Sequence, residues 1–408
     1  MELAQFLNSL RDPSGVPFFP IVFQFLMVLT FTLHIVTINV VVGGLIVGIW
    51  EAIKGGTHGR RLASALGRAS TILLSVAIVL GVAPLLFVQV IYDPFWYASN
   101  TMSAVWAMIF LVWVCTAFYA AYGFYLGNKG PDANGGLRLF WAYVAVGAML
   151  ISGVIIHVLS IEALHPELWH KWLTGQKGAL LTGGARFHGL APGRLLHFFS
   201  ASFAVTGTFL MLYAWYFRPR PDFDREYLDY AAHKGMNLAL YGTLFTVGTG
   251  FWWAGEVPSG IGFFSNPVFL LSVVLALVLM IYLANSQKDP VAHAIPVSGL
   301  MAATVFVMSY AREVLRMKYV GAFDYSIFTY KLNISWGSTV LFFATFVMGL
   351  VVLYFPLLCA FKAGRSEPGK VVLIPEKVGN LANILLVGWF VLVAGLGIII
   401  SFKNGTLP

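Results

Sequence analysis

The chain has 408 residues, 59% of them hydrophobic and only 10% charged, against roughly 45–50% apolar and about 25% charged in soluble domains. These proportions exclude a water-soluble globule, so the length is read as one bundle, residues 1–408, rather than as two or three soluble domains. The formal charge of +8 is spread over short loops, the pattern of basic segments facing anionic lipid, and it points to no nucleic-acid partner.

The opening stretch MELAQFLNSLRDPSGVPFFP lacks a basic region followed by a short apolar run, so it predicts no cleavable signal. Runs long enough to cross about 30 Å of hydrocarbon follow at 19–50, 70–92, 102–127, 138–163, 190–217, 236–255, 267–285, 293–311, 336–361 and 379–402. The expected fold class is therefore all-α, a polytopic transmembrane bundle of about ten helices. Gly242, Gly248 and Gly250 interrupt the sixth run, and only SQKDPVAHA divides the seventh from the eighth, which leaves nine spans as the alternative.

Basic residues gather in alternate loops: Lys54, Arg60, Arg61 and Arg68; Lys129 and Arg138; Arg218, Arg220, Arg225 and Lys234; Lys362, Arg365, Lys370 and Lys377. Placing these on the cytoplasmic side puts the N-terminus outside. The segments at about 164–194 and 311–338 then become periplasmic caps rich in Trp, His and Gly. Cys115 and Cys359 each lie in an apolar run, so neither a disulfide framework nor covalent c-type haem attachment is available.

Three of the nine histidines fall inside predicted spans: His34 in FTLHIVTINVVVGG, His157 in LISGVIIHVLSIEAL and His197 in GRLLHFFSASFAVTG. At about 1.5 Å per residue, His157 and His197 stand roughly 10 Å inside the outer boundary, with His34 nearer the middle. Ionisable groups at such depth are costly and mark function, and neutral imidazole is the usual axial ligand of haem iron. All three are candidate iron ligands; interhelical hydrogen bonding and proton relay are the competing readings. His58 and His233 are expected in solvated loops and His293 at an interface. His165, His170 and His188 are expected at the surface of the outer loop, where they could cap a haem edge. Arg194, three residues before His197 on the same helical face, and Arg312 are candidate partners for haem propionates, or else interfacial anchors.

With these residues in place the chain resembles subunit I of cytochrome bd-type quinol oxidases. LHIVTINVVVGG is similar to that family's first helix, whose haem histidine maps onto His34; GVAPLLFVQVIYDPFW resembles its Gly-Val-Ala-Thr-Gly segment. RLLHFFSASFAVTG followed by AWY resembles the fifth helix, with the low-spin haem histidine at His197, and SYARE resembles the Gly-Arg-Gln-Pro-Trp region, with its arginine at Arg312. The resemblance implies b-type haem, two or more copies, and quinol or menaquinol as reductant in a prokaryotic inner membrane.

The chain also departs from that pattern. Thr101 to Leu126 contains no Asp or Glu, Gln89 and Ser309 stand where the family has glutamates, and its ligand methionine falls near Val268. The quinol loop shrinks to AGEVPSGIGFFSNP, while His157 lies where the family has no ligand. Reduction of oxygen needs an open iron and a carboxylate proton path, so the expectation is a haem b electron-transfer subunit that oxidises quinol and passes electrons to a periplasmic c-type cytochrome. Glu162, Glu256 and Glu313 are the candidate acceptors of quinol protons. The alternatives are a terminal oxidase that reduces oxygen, and a cofactor-free transporter or membrane anchor with a histidine relay.

Overall fold

Pro20, whose ring presets the helical φ and whose missing N–H costs nothing in a first turn, opens the first long helix of the computed structural model, which describes residues 2–127, 136–174 and 178–405. After the short α1 (Glu2–Ser9), α2 (Pro20–Lys54) runs to Gly55. Gly56, with φ of 58° in the left-handed region that favours glycine, then turns the chain into α3 (Gly56–Ile91).

The short α4 (Asp93–Met102) leads to α5 (Ala104–Gly127) and α6 (Gly136–Glu162), and α7 (Trp169–Leu173) lies in the connection to α8 (Pro192–Phe217). Then come α9 (Arg225–Glu256), α10 (Pro267–Asn285), α11 (Ala294–Gly321), α12 (Trp336–Arg365) and α13 (Glu376–Lys403). No strand forms among the described residues, and the chain is an all-α polytopic bundle. Lys129 lies outside the described residues.

Nine of the described helices are long and apolar enough to span a membrane. The tenth long helix, α9, covers the expected sixth span but falls short in apolarity because Asn, Gly, Thr and Tyr fill its middle. The expected seventh and eighth spans stay separate. Asn266 caps α10, its side-chain oxygen accepting the Val268 N–H at 2.9 Å, and a turn over residues 286–293 precedes α11.

Two boundaries differ from the sequence expectation for one reason. The start of α3 and the end of α11 are amphipathic, so an average over apolar residues misses them, while packing of one face keeps them helical. Leu62, Ala63, Leu66 and Ser70 are buried in α3, and Glu313, Val314, Leu315 and Val320 in α11. The expected outer cap at 311–338 is thereby corrected: it is helical as far as Gly321.

The chain divides into two compact units, Met1–Trp215 with Asp229–Leu332, and Tyr216–Leu228 with Asn333–Pro408. In the first, α2 lies between two groups of helices. Val41 and Leu45 pack with Leu74, Ala117, Ala121 and Ala145 of α3, α5 and α6. Val40, one position on, packs with Ala204, Met236, Leu279 and Val297 of α8 to α11. Helices α8 and α9 approach to backbone contact: a Cβ on Gly207 would lie 2.2 Å from the Ala239 nitrogen, and one on Gly242 2.5 Å from the Ala204 nitrogen.

A third cluster, with Tyr92, Phe95, Trp169, Tyr325 and Tyr330, closes one end of this unit. At the opposite end Glu51, fully buried, pairs with Lys234 Nζ at 2.7 Å and accepts the Tyr230 hydroxyl. In the second unit, the Tyr216 hydroxyl donates to the carbonyls of Ala360 and Phe361 at 3.1 and 3.0 Å. Helix α12 has no buried residue and α13 only Ala382, as suits helices whose solvent is lipid.

Candidate functional site

His34 and His197 are held by the same local device. His34 Nδ1 lies 2.8 Å from the Ala77 carbonyl oxygen on α3, and His197 Nδ1 lies 3.0 Å from that of Thr246 on α9. Four residues on from each carbonyl stands a glycine. A Cβ on Gly81 would come 2.8 Å from His34 Cε1, and one on Gly250 3.0 Å from His197 Nδ1. The glycines make room for the rings, and the helical carbonyls fix their tilt. A carbonyl oxygen only accepts, so each Nδ1 carries the proton and each Nε2 carries the lone pair. This is the tautomer and orientation that a metal-ligating histidine needs.

The two histidines do not share a cavity. His197 lines an apolar space between α2, α8, α9, α10 and α11, whose empty volume is about 1030 Å³, part of it open to the surroundings. Phe31, Ile35 and Asn39 of α2 face that space, whereas His34 is turned away toward α3. On α11, Met308 and Arg312, one turn apart on one face, line the same cavity as His197, with Ser309 between them.

Met308 was not signalled by the sequence; Val268, where a ligand methionine is expected, packs instead against the cluster of Val257, Phe263 and Leu315. The only available signal was the four-residue spacing to Arg312, and it becomes informative once α11 is seen to face His197.

Arginines converge above this cavity. Arg194 is 5% exposed, and its Nε and Nη1, like Arg312 Nε, are buried without a hydrogen-bond partner among the described residues. Arg194, Arg312 and Arg316 are close enough to repel one another. Of the three, Arg316 is the one with an ion pair among the described residues, to Glu313 at 3.2 Å. Arg312 lies over the Phe31 ring at 4.4 Å. Buried guanidinium groups call for anions, and this cluster offers planar donors to carboxylates that would come with a bound group.

A second cavity, with an empty volume of about 880 Å³, shares Trp253 and Val257 with the first. Arg194, Glu256, His165, His188 and Tyr319 supply its polar groups. His188, expected at the surface, is half-buried: its side chain is 9% exposed, stacked on Trp172 with ring centroids 5.6 Å apart. Its Nδ1 lies 2.7 Å from Glu162 Oε1, and that oxygen also accepts the Ser103 hydroxyl at 2.7 Å. Glu162 itself is fully buried, behind the cavity wall rather than in it.

Three predicted residues take supporting positions. His157 lines neither cavity; its Nε2 accepts the Ala191 N–H at 3.1 Å and so is committed to the start of α8. Expected as a third iron ligand, it lies outside the first cavity, with its Nε2 lone pair engaged by that N–H. Glu256 reaches the same place, accepting the Gly193 N–H at 2.8 Å, where a carboxylate suits a helix N-terminus. Together they fix the turn that carries Arg194 and His197. Glu313 lines neither cavity and is enclosed by Tyr92 at 2.5 Å, Gln24 at 3.3 Å and Arg316. It is buried and paired with Arg316.

No protein-family model matches the chain, and no curated protein matches it by sequence. Among solved structures it is similar to bd oxidase from Geobacillus thermodenitrificans, with a TM-score of 0.58 at 13% identity, over 85% of this chain and 98% of that one. At this identity the likeness is one of fold. The chain is a multi-pass membrane protein with a bd-oxidase-like fold.

Proposed function

We propose that this protein is a haem b electron-transfer subunit of a prokaryotic inner membrane, oxidising quinol and passing electrons to a periplasmic c-type cytochrome. The observation that carries the reading is the His197 imidazole, anchored at Nδ1 with Nε2 as its lone-pair nitrogen, in an apolar cavity also lined by Met308 and by Arg312, whose Nε has no hydrogen-bond partner among the described residues. These residues fit haem b: a nitrogen ligand, a thioether on the same cavity, apolar walls for the macrocycle and guanidinium groups for its propionates. Haem would supply the one-electron redox chemistry; the protein's part is to fix the ligand, exclude water and neutralise the propionates. His34, with the same carbonyl and glycine device, is proposed to hold a second haem.

The role in conduction rather than oxygen reduction is supported by the absence of acidic residues from α5 and by Ser309, an uncharged residue in the first cavity. A reduced-minus-oxidised spectrum of the purified protein tests the reading. A b-type α-band is expected, and His197→Ala is expected to remove its share of it. Reduction by a short-chain quinol without oxygen consumption separates this reading from a terminal oxidase, and absence of any haem band would overturn both.

A further inference from the structure

We infer that His188, oriented by Glu162, is the base that accepts a hydroxyl proton from quinol in the second cavity, an inference that rests on the quinol reading above. The cavity suits a flat aromatic diol. Trp172 and Trp253 supply ring walls, Leu168, Leu190 and Val257 give apolar surface, and His188, Arg194, Glu256 and Tyr319 give polar groups.

The Glu162 carboxylate holds His188 Nδ1 at 2.7 Å and is itself held by Ser103. With the proton fixed on Nδ1, the lone pair lies on Nε2 of a ring that lines the cavity. This is a base with its orienting carboxylate, an arrangement that needs no titration of the carboxylate itself. Glu162 is a positioning residue and His188 the catalytic one. The other titratable or charged groups facing His188 across the cavity are Arg194, Glu256, Tyr319 and His165, the last paired with Glu167 at 2.8 Å.

The step balances as follows. One quinol becomes one quinone as two O–H bonds break, releasing two protons and two electrons. One proton bonds to His188 Nε2, and the other leaves through Glu256 or water. Haems held by His197 and His34 would take up the two electrons, one each. The shared wall at Trp253 and Val257 sets the bound ring beside the cavity of His197.

The test uses the purified haem-loaded protein, reduced by a short-chain quinol and, separately, by dithionite. His188→Gln is expected to slow quinol reduction by about 10²- to 10⁴-fold at nearly unchanged KM, with spectrum and dithionite reduction intact. The wild-type rate is expected to rise with pH, and the variant is expected to lack that limb. In His188→Gly, added imidazole is expected to restore part of the rate. Glu162→Gln is expected to lower kcat and displace the limb. A wild-type rate in His188→Gln, or a wild-type profile without the limb, overturns the inference and leaves the quinol reading standing. The second outcome decides even if the variants fail to fold. A wild-type protein reduced by dithionite but not by quinol overturns both.

Discussion

A Cβ placed on Gly250 would stand 3.0 Å from His197 Nδ1. That atom would push the ring off the Thr246 carbonyl, which now holds it at 3.0 Å. Gly250→Ala is therefore expected to tilt or displace the ligand, at an overpacking cost of about 1–3 kcal/mol. Gly248, two residues away with nothing within 4 Å of its Cβ position, provides the control. Visible spectra of the two alanine variants should differ, with Gly248→Ala matching wild type and Gly250→Ala losing or shifting the haem signal. Gly81→Ala should act likewise on the haem proposed at His34, whose Cε1 lies 2.8 Å from that Cβ position. Equal spectra for Gly248→Ala and Gly250→Ala would show that the carbonyl and glycine device does not position a ligand.

Met308 would supply a thioether to a haem held by His197, since both line one cavity and His with Met is an established haem ligand pair. Met308→Leu keeps volume and apolarity, so fold stability should change by less than about 1.5 kcal/mol. The iron should nevertheless lose a strong-field ligand. The ferric spectrum should move from low spin toward high spin, the thioether charge-transfer band should disappear, and the reduction potential should fall. An unaltered ferric spectrum would remove Met308 from the ligand set.

The helices were legible because a bilayer leaves so few choices: apolar runs of 19 or more residues announce themselves, and the all-α class follows from their number. What averaging over such runs hid was amphipathic helix. The first turns of α3 and the last of α11 carry Arg60, Arg61, Glu313 and Arg316 among buried apolar residues, and only packing shows them to be helical. His34 and His197 were visible as costly groups at depth. Their partners were not, because Ala77 and Thr246 contribute backbone carbonyls and Gly81 and Gly250 contribute an absence of side chain. His188 was read as a surface residue because a loop gives no periodicity from which burial can be inferred; Glu162 and Trp172, which enclose it, reach it only through the fold.

Asp93 gives a prediction in pH. Its carboxylate accepts the Tyr330 hydroxyl and, at 2.7 Å, the Asp12 N–H, and burial pushes its pKa above the usual carboxylate range despite those bonds. A folded pKa above the unfolded value of about 3.9 means that the folded form holds the proton more tightly. The contribution to stability is full below that unfolded value and is lost as pH rises through the folded one. Asp93→Asn cannot titrate. The melting temperature of wild type minus that of Asp93→Asn should thus be greatest below about pH 4 and decline as pH rises. A difference that grows with pH would reverse the sign and refute burial as the dominant cause.

The arginines provide the strongest separation between a haem site and a merely anchored helix end. Arg194 is buried and Arg312 half-buried; both repel Arg316, and each has a buried guanidinium nitrogen without a hydrogen-bond partner among the described residues. Such charges cost several kcal/mol per ion when nothing compensates them. If propionates are the missing partners, the arginines are a burden in the haem-free protein and an asset in the loaded one. Arg312→Leu should therefore raise the stability of the haem-free protein or leave it unchanged, by analogy with buried ion groups whose apolar replacement gains about 1–4 kcal/mol. The same substitution should weaken haem retention by at least about tenfold, equivalent to about 1.4 kcal/mol. Thermal melts of both forms in detergent, with haem loss to a competing haem-binding protein, measure the two effects. Opposite signs follow only when the compensating anion arrives with the haem. Destabilisation of both forms would mean that the guanidinium groups serve the fold itself, and the propionate assignment would fall.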